Sequence, residues 1–245
     1  MNPRVSVVVT AYNEGETINF YLDRLAEAIS MPCEILVVFD SPDDTTAPFV
    51  RAYAEIDDRV RPVLNQLGRG PAMAIRAGFD QAVADTVVIT MADGCDDPMQ
   101  IEPLVRLVER GVVIAAASRY MRGGRQIGGP PIKSMMSRVA GLSLSLFGRV
   151  GTCDATNSFK AYSARFVHQV GIESDGGFEV GLELVAKARR RRLPVAEIPT
   201  IWLDREVNVS NFHIFKWLRK YLHWYFYAFG PRISDRPADI LPEPQ

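Results

Sequence analysis

Acidic side chains that could hold a metal ion are concentrated in one short segment of the sequence. Asp93, Asp96 and Asp97 lie close together, directly after the apolar run 86–92. Mg²⁺ and Mn²⁺ prefer oxygen ligands and usually bind through one or two carboxylates together with substrate phosphates. We predict that Asp93 is the main protein ligand of such an ion and that Asp96 assists it. Asp97 precedes Pro98 and fits the start of a helix better than a metal site.

A second acidic segment begins where another apolar run ends, at Asp40. An acid at the end of a strand in a nucleotide-binding sheet commonly contacts ribose hydroxyls or a base N–H, and we predict this role for Asp40. Asp43 and Asp44 precede two threonines and fit a turn and a helix N-cap. Gly68 and Gly70 precede a predicted helix. Their backbone N–H groups could cradle a phosphate, although a plain turn fits them equally well.

The net charge of −1 hides an asymmetry along the chain. Residues 1–109 carry 18 acidic and 8 basic side chains, whereas residues 110–245 carry 11 acidic and 20 basic ones. No acid occurs between Glu109 and Asp154, and the bases in that stretch are Arg110, Arg119, Arg122, Arg125, Lys133, Arg138 and Arg149. An acidic half suits a metal ion, and a basic half suits phosphate or an anionic surface.

The elements that must position these residues alternate between strand and helix in the first half. The predicted strands are Val5–Thr10, Glu34–Asp40, Val60–Leu64, Thr86–Ala92 and Val112–Ala117, with amphipathic helices between them. Continuous apolar runs between helices indicate parallel strands that are covered on both faces. Ligands of such doubly wound α/β sheets bind beyond the carboxyl ends of the strands. Asp40 and Asp93 are both expected there.

The second half is less regular. Glycines from Gly123 to Gly129 predict a mobile loop before a helix at Lys133–Phe147. A strand is predicted at Asn157–Tyr162, a helix at Phe178–Arg192 and a strand at Pro194–Ile201. The proline-rich, acidic residues 231–245 are expected to form a disordered tail.

Aromatic and basic side chains alternate in the predicted C-terminal helix, residues 212–230. This composition suits a membrane interface, with rings at headgroup depth and cations on anionic lipid. The rings in question are Trp217, Tyr221, Trp224 and Phe226, and the cations are Lys216, Arg219 and Lys220. Packing in the core or in a dimer is the alternative interpretation of this helix.

Several segments together resemble glycosyltransferase family 2, and within it the dolichol-phosphate mannose synthase-like branch. They are Val8–Glu14, the Asp40 loop, Leu67–Gly70, the Asp93 loop, Ser118–Tyr120, Asp154–Lys160, Gly177–Glu183, and Asp204–Arg205 with Ser210. The resemblance implies an inverting GT-A fold, a Rossmann-like nucleotide-diphospho-sugar transferase with one mostly parallel sheet and helices on both faces. It also implies a single domain over 1–211, with a nucleotide-sugar half at 1–117 and an acceptor half at 118–211.

The resemblance further implies roles for individual residues. Ala11, Tyr12 and Glu14 would line the nucleobase pocket, Asp40 would contact the nucleoside and Asp93 would hold the metal. The acceptor phosphate would be bound by Arg119, Lys133, Arg138 and Arg205, with Ser210 nearby. Two positions depart from the family pattern. Met91 replaces the first acid of the usual Asp-x-Asp, and Phe39 replaces the first acid of a usual Asp-Asp pair before the nucleoside.

The scarcity of histidine bears on the reaction, because none of the three lies in a strand-end loop. A hydroxyl acceptor needs a general base, whereas a phosphate acceptor is already anionic and needs only positioning by Arg and Lys. This absence supports a phosphate acceptor. The resemblance implies inverting transfer from a nucleotide-diphospho-sugar to a polyprenyl phosphate with Mg²⁺ or Mn²⁺, and we predict this reaction. One alternative is transfer to a soluble or polysaccharide hydroxyl with a base among Asp154, Glu179 and Glu183. Another is a degenerate nucleotide-sugar-binding protein.

The composition also bears on the cellular location of the protein and on the classes of partner that it could bind. The three cysteines include no Cys-x-x-Cys pair, which predicts reduced thiols. No signal peptide and no apolar run of about 20 residues is recognisable. We expect a cytoplasmic protein that is peripheral at the inner face of a membrane, and either a membrane-protein partner or a homodimer is compatible with it. A sequence pI of about 6.3 and the lack of a recognition motif argue against nucleic acid.

Overall fold

The structure is a computed structural model that describes residues 2–204 and 214–234. Side chains are described in this range except at residues 214–217. Two residues predicted at the acceptor phosphate, Arg205 and Ser210, lie outside the described residues, as does the predicted tail from residue 235. The proposed boundaries after residues 117 and 211 stay predictions.

The strands in the described residues form one large and one small sheet. They are β1 (Val5–Thr10), β2 (Cys33–Phe39), β3 (Val60–Leu64), β4 (Thr86–Met91), β5 (Ile114–Ser118), β6 (Arg125–Ile127), β7 (Lys160–Ser163), β8 (Val195–Pro199) and β9 (Ile201–Leu203). The large sheet has the order β3-β2-β1-β4-β7-β5-β8. All neighbours in it are parallel except β7, which is antiparallel to both β4 and β5. The predicted mostly parallel α/β sheet is confirmed.

Helices cover both faces of the large sheet. They are α1 (Thr17–Ala28), α2 (Ala47–Ala54), α3 (Pro71–Gln81), α4 (Ile101–Glu109), α5 (Pro131–Ser143), α6 (Ala164–Val170), α7 (Val180–Arg190) and α8 (Ile214–Tyr227). Successive residues of β1 face opposite sides, as the two-residue repeat of a strand requires. Val7 and Val9 join a core with α1 and α4, whereas Val8 joins a second core with α3 and α7. This two-sided burial explains why the strand is continuously apolar.

The reversed direction of β7 determines which residues reach the carboxyl edge of the sheet. Thr10 at the end of β1 pairs with Val38 of β2 and Met91 of β4. Lys160 is the first residue of β7, and it pairs with Ile89 near the end of β4. The loop that precedes Lys160 therefore arrives at the same edge as the loops that follow β1, β2 and β4.

The glycine-rich segment before α5 contains a strand, which corrects the prediction of a plain mobile loop. In this segment β6 pairs in parallel with β9. The backbone N–H of Asp204 also donates to the carbonyl of Ile127 at 2.9 Å. Gly128 and Gly129 have φ values of 81° and 84°, which side chains rarely adopt. These glycines let the chain turn from β6 into α5.

The C-terminal helix packs on α7, so the prediction that all its rings lie at headgroup depth is wrong. Trp224 is only 5% exposed, and the ammonium group of Lys187 lies 5.3 Å from its ring centroid. Burial also raises the pKa of Tyr221. Phe226, by contrast, is 66% exposed. The helix therefore has one face in the core and one face in solvent.

Gly78→Ala tests the close approach of α3 to the sheet. A Cβ at Gly78 would lie 2.3 Å from Cγ1 of Val8 in β1. An exposed helical Gly→Ala change would stabilise by up to about 1 kcal/mol, but overpacking a core costs about 1–3 kcal/mol. We expect urea unfolding to show that the free energy of unfolding falls by about 1–2 kcal/mol. Asp80→Ala, at an exposed position of the same helix, should change stability by less than about 0.5 kcal/mol. A stabilised Gly78→Ala protein would contradict this packing.

Candidate active site

A buried aspartate joins the loops after β1 and β2. The Asp44 carboxylate accepts hydrogen bonds from the N–H of Asn13, at 3.1 and 3.2 Å, and from the N–H of Thr46 at 2.8 Å. The Thr46 hydroxyl in turn accepts from the N–H of Glu14 at 3.0 Å. The turn predicted at Asp44 is confirmed, but the N-cap residue of α2 is Thr46 and not Asp44. Tyr12, directly before Asn13, is 68% exposed, so its ring is available to a ligand.

Asp40 organises the glycine loop before α3. Its two carboxylate oxygens accept hydrogen bonds from Nδ2 of Asn65 and from the N–H of Gly70, both at 2.7 Å. Gly68 and Gly70 have φ values of 132° and 112°, and a Cβ at Gly70 would lie 3.0 Å from the carbonyl oxygen of Gly176. A phosphate contact by the two glycines stays a prediction. The N–H of Gly70, however, already donates to Asp40, so a phosphate would have to share it.

Asp93 and Asp96 lie in the loop after β4 and differ in environment. Oδ1 of Asp93 accepts a hydrogen bond from the N–H of Cys95 at 3.0 Å. Asp96 is 5% exposed, and its Oδ2 accepts from the hydroxyl of Thr90 at 3.0 Å. Burial, and then the negative charge of Asp93, raise the pKa of Asp96 to about 7. Asp97 accepts from the N–H of Met99 at 3.1 Å and so caps the next turn, as predicted.

The two aspartates fit a divalent cation that is shared with a substrate. Their mutual repulsion leaves a negative potential in this loop, which a cation would relieve. Among the described residues no group of three or more His, Cys, Asp and Glu side chains could hold a metal ion by itself. A diphosphate would therefore supply several of the remaining ligands, which is usual for Mg²⁺. The assignment of Asp93 and Asp96 as ligands stays a prediction.

Arg119 forms a buried ion pair with Asp154 just beyond β5. Nε and Nη2 of Arg119 donate to the two oxygens of Asp154 at 2.7 and 2.9 Å, and the N–H of Arg119 donates to Oδ2 at 3.0 Å. The side chain of Asp154 is fully buried, and that of Arg119 is 11% exposed. Nη2 also contacts Oγ of Ser137 in α5 at 3.3 Å. Much of the donor capacity of Arg119 is therefore used within the protein.

The two other predicted cations that the structure describes lie on α5. Lys133 is one helical turn before Ser137, so the two side chains share a face of α5. Because Arg119 contacts Ser137, Arg119 lies along the same face as Lys133. Desolvation, and then the charge of Arg119, lower the pKa of Lys133, whereas Asp204 and Asp93 raise it. Lys133 therefore lies within electrostatic reach of both the arginine and the metal loop. Arg138 is exposed on the adjacent face of the helix.

Lys160 is a buried cation at this site that sequence reasoning did not single out. It is fully buried, and its Nζ donates to the carbonyls of Ala155, at 3.2 Å, and Asn157. Burial lowers its pKa to about 7, although the charges of Asp154 and Asp96 act in the opposite direction. A lysine between Phe159 and Ala161, inside a predicted strand, was the signal that could have identified it.

A mostly parallel sheet whose carboxyl edge joins an acidic loop to a group of cations defines the class: this is the GT-A fold of glycosyltransferases. Residues 6–171 match the family model described as Glycosyl transferase family 2. The chain therefore belongs to glycosyltransferase family 2, and it is a glycosyltransferase. Both the predicted family and the predicted fold are confirmed.

Known proteins similar to this chain support its place within the family. It is 28% identical to the polyprenol monophosphomannose synthase of Mycolicibacterium smegmatis, over 85% of this chain and 80% of that protein. It is also 28% identical to the undecaprenyl-phosphate mannosyltransferase of Micrococcus luteus, over 85% of this chain and 87% of that protein. These similarities confirm the resemblance to the dolichol-phosphate mannose synthase-like branch.

A solved structure shares the fold. Glucosyl-3-phosphoglycerate synthase from Mycobacterium tuberculosis was crystallised with Mn²⁺, uridine diphosphate and phosphoglyceric acid, and it matches with a TM-score of 0.70. The two sequences are 18% identical, and the match covers 95% of this chain and 80% of that one. At this identity the match supports the fold alone.

Asp96→Asn should change how stability depends on pH. Because the pKa of Asp96 is raised to about 7, the folded protein keeps a proton that the unfolded chain releases near pH 4. Between about pH 4 and 7 the stability of the wild type should therefore fall as pH rises. Asparagine keeps an acceptor for the Thr90 hydroxyl, and because it does not ionise, it does not lose stability in this way as pH rises. In chelator at pH 8 we expect a higher Tm for the variant, by about 2–4 °C per kcal/mol recovered.

Asp97→Asn is the matched control, since asparagine also caps a helix. Its Tm should follow the wild type across the pH range. Adding Mn²⁺ at pH 8 should then raise the Tm of the wild type more than that of Asp96→Asn, if Asp96 is a ligand. If the Tm difference between the wild type and Asp96→Asn were the same at pH 4 and pH 8, this would contradict a buried Asp96 with a raised pKa.

Proposed function

We propose that this glycosyltransferase moves a sugar, with inversion, from a nucleotide-diphospho-sugar to a polyprenyl phosphate and uses a divalent metal ion. The observation that carries the proposal is that Lys133, at the exposed surface of α5, lies within electrostatic reach of both Arg119 and Asp93. A cation in that place can hold an anionic acceptor against a donor whose diphosphate is bound at the metal loop. The names of the two mannosyl-transferring relatives include polyprenol and undecaprenyl phosphate, and this supports the same acceptor class here.

The carboxylates considered as bases for a hydroxyl acceptor are all engaged. Asp154 pairs with Arg119. Glu179 accepts from the N–H groups of two glycines, at 2.7 and 3.2 Å. Glu183 accepts from Lys187 at 2.6 Å and from two further N–H groups. All three acids are fully buried. Because all three carboxylates are buried and bonded to donors of the protein, none is exposed to an acceptor hydroxyl, which supports an acceptor that needs no deprotonation.

The reaction then needs little proton transfer from the protein. An oxygen of the acceptor phosphate attacks the anomeric carbon, and the bond from that carbon to the nucleoside diphosphate breaks on the opposite side, which inverts the configuration. Lys133, Arg138 and the remaining donor capacity of Arg119 would orient the acceptor and offset its charge. Asp93 and Asp96 would hold a divalent ion, which when bound offsets the negative charge of the leaving diphosphate.

The structure also supports contact with a membrane surface, through residues other than Trp224. The residues of α5 and of the π-helical segment that continues it, Leu144–Gly148, expose an apolar row with helical spacing. Its members are Ile132, Met135, Met136, Val139, Leu142, Leu146 and Phe147. Leu222, Phe226 and Phe229 of the C-terminal region are also exposed. We call these ten side chains the apolar row.

The two parts of the apolar row are joined in space. The hydroxyls of Ser143 and Tyr225 lie 3.0 Å apart, and a Cβ at Gly148 would contact the ring of Phe229 at 3.6 Å. Apolar side chains at a helix surface with nearby cations fit an interfacial position on anionic lipid. No helix in the described ranges 2–204 and 214–234 is long and apolar enough to cross a bilayer. We propose a peripheral protein at the cytoplasmic face, where a lipid-linked acceptor can reach Lys133.

A hydroxyl acceptor remains the second candidate because of Asp204. This acid is exposed and lies close enough to Lys133 to raise its pKa. It is therefore placed where a general base could act. A screen of nucleotide-sugars against a polyprenyl phosphate and against soluble hydroxyl acceptors, scored for glycosylated product, separates the candidates. A chain that binds a nucleotide-sugar but neither transfers the sugar nor hydrolyses the donor would be a binding protein instead.

Asp93→Asn should abolish transfer and leave the fold intact. Removing the main metal carboxylate takes away the charge that holds the ion against the diphosphate, and we expect kcat to fall by about 100-fold or more. The measurement is product formation over a titration of Mg²⁺ and Mn²⁺, with Tm as the check on folding. Asp97→Ser, which keeps the helix cap, should retain wild-type activity. Near wild-type activity of Asp93→Asn at limiting metal would refute the assignment.

Arg138→Ala should raise the KM for polyprenyl phosphate and change kcat little. A hydrogen bond to a charged group contributes about 1.5–3 kcal/mol, which corresponds to about tenfold or more. Arg165→Ala, an exposed arginine on α6 at the amino edge of the sheet, is the control and should leave KM within about twofold. Asp204→Asn should also keep kcat. A loss of about 100-fold or more in kcat for Asp204→Asn would instead identify a general base and favour a hydroxyl acceptor.

A further inference from the structure

An arginine-lined groove lies at the end of α5 that is remote from Lys133. Its volume is about 410 Å³, and its lining includes Arg149, Arg189 and Arg192 but no acidic residue. Among the described residues, no carboxylate lies within ion-pair distance of these three guanidinium groups. Three cations without a carboxylate partner in the described ranges, around one concave surface, favour an anionic ligand. We call these three residues the arginine groove.

The backbone holds the arginines in place. Arg149 ends the π-helical segment and Arg192 follows α7, and both have a left-handed φ, of 53° and 54°. Nε of Arg189 donates to the carbonyl of Gly148, which joins the two helix ends. A Cβ at Gly151 would lie 2.8 Å from the carbonyl oxygen of Val195, so the chain closes tightly against β8. The groove is therefore built by several elements and does not depend on one flexible side chain.

Exposed apolar side chains adjoin the groove. Phe147 and Leu146 immediately precede Gly148 and Arg149, and they are 71% and 70% exposed. The ring of Phe229 lies close to Gly148, at 3.6 Å from where a Cβ would stand. An anionic site bordered by apolar side chains matches a phospholipid, whose phosphate would meet the arginines while its chains lie along the rings. A free anion would not need the apolar border.

The groove and the candidate active site lie at opposite ends of α5. The helix and its continuation span Pro131–Gly148, which corresponds to about 27 Å at 1.5 Å per residue. Lys133 is at one end, the arginine groove is at the other, and the apolar row runs between them. Two cationic sites and an intervening apolar row would fix the orientation of α5 along a membrane surface.

We propose that the arginine groove binds the headgroup of an anionic phospholipid, separately from the acceptor, and so orients the active site toward the membrane. This inference rests on the peripheral membrane position in the proposed function. The groove takes no part in the transfer reaction. Its role is to hold one end of α5 on the lipid while the other end receives the acceptor phosphate.

The test is the double variant Arg149→Ala with Arg192→Ala, in the full chain. Arg189 is left in place because it also bonds Gly148. Sedimentation with vesicles of phosphatidylcholine containing phosphatidylglycerol, without any donor or acceptor, measures binding. Two basic residues at about 1 kcal/mol each correspond to about a 30-fold weaker binding. The control Arg51→Ala with Arg165→Ala removes the same charge from exposed positions on α2 and α6, and it should bind vesicles like the wild type.

Further measurements separate the alternatives. Transfer to a short-chain prenyl phosphate in detergent should be unchanged in the groove variant. Equal vesicle binding by the groove variant and the control would overturn the proposal. Equal binding with a lower Tm would show that the arginines only offset the negative ends of two helices. Stabilisation of the wild type alone by inorganic phosphate, again with equal vesicle binding, would mark a free-phosphate site and also overturn it.

The outcome is independent of the transfer assay. If the wild type makes no glycolipid but the groove variant loses vesicle binding, the headgroup site stands without the proposed function. If the wild type makes glycolipid in detergent and both variants bind vesicles equally, the proposed function stands and the headgroup site is wrong.

Discussion

The buried ion pair between Arg119 and Asp154 determines the arrangement of the acceptor half of the candidate site. Burying both charges is costly, and such a pair is retained only where its geometry is good and further hydrogen bonds satisfy the remaining atoms. Here the pair is bidentate, and Asp154 also accepts from the backbone of Arg119 and from the N–H of Asn157 at 3.2 Å. The guanidinium group also donates to Oγ of Ser137, which connects it to α5. The pair thus connects the end of β5, the loop before β7 and the helix that presents Lys133.

Charge is separated across the carboxyl edge of the sheet. The loops after β2 and β4 contribute Asp40, Asp93 and Asp96, and the elements after β5 contribute Arg119 and Lys133. The antiparallel β7 lies between them and adds Lys160, which donates to the backbone of the turn that follows Asp154. In the proposed reaction, a donor with a diphosphate and its metal ion would bind on the first side, and an anionic acceptor on the second. Because Asp96 and Lys160 are held by buried hydrogen bonds and Arg119 by a buried ion pair, these three groups would need little reorganisation when substrates bind.

The helix α5 combines three roles that would otherwise need separate elements. One face contacts Arg119 through Ser137, and a Cβ at Gly141 of the same helix would lie 2.1 Å from the carbonyl of Cys153. Its opposite face exposes much of the apolar row. Its ends carry cations that face different partners in our proposals. Burial of one face against the 153–156 loop explains why the helix stays in place although so many of its side chains are exposed.

The sequence by itself determined the alternation of strands and helices in the first half, the mostly parallel sheet, the capping role of Asp97 and the turn at Asp44. These features follow from local patterns, because apolar periodicity and capping residues act over a few positions. It also located Asp40, Asp93, Arg119 and Lys133 near strand ends or in the basic stretch.

Only the tertiary structure decided which of these residues meet, because their contacts join segments that are far apart in the chain. The direction of β7, the pairing of Arg119 with Asp154 and the burial of Lys160 depend on how the second half returns to the sheet. The burial of Trp224 has the same origin. Its aromatic and basic neighbours are compatible with either lipid or a protein core, and the packing of α8 on α7 selects the core for that ring.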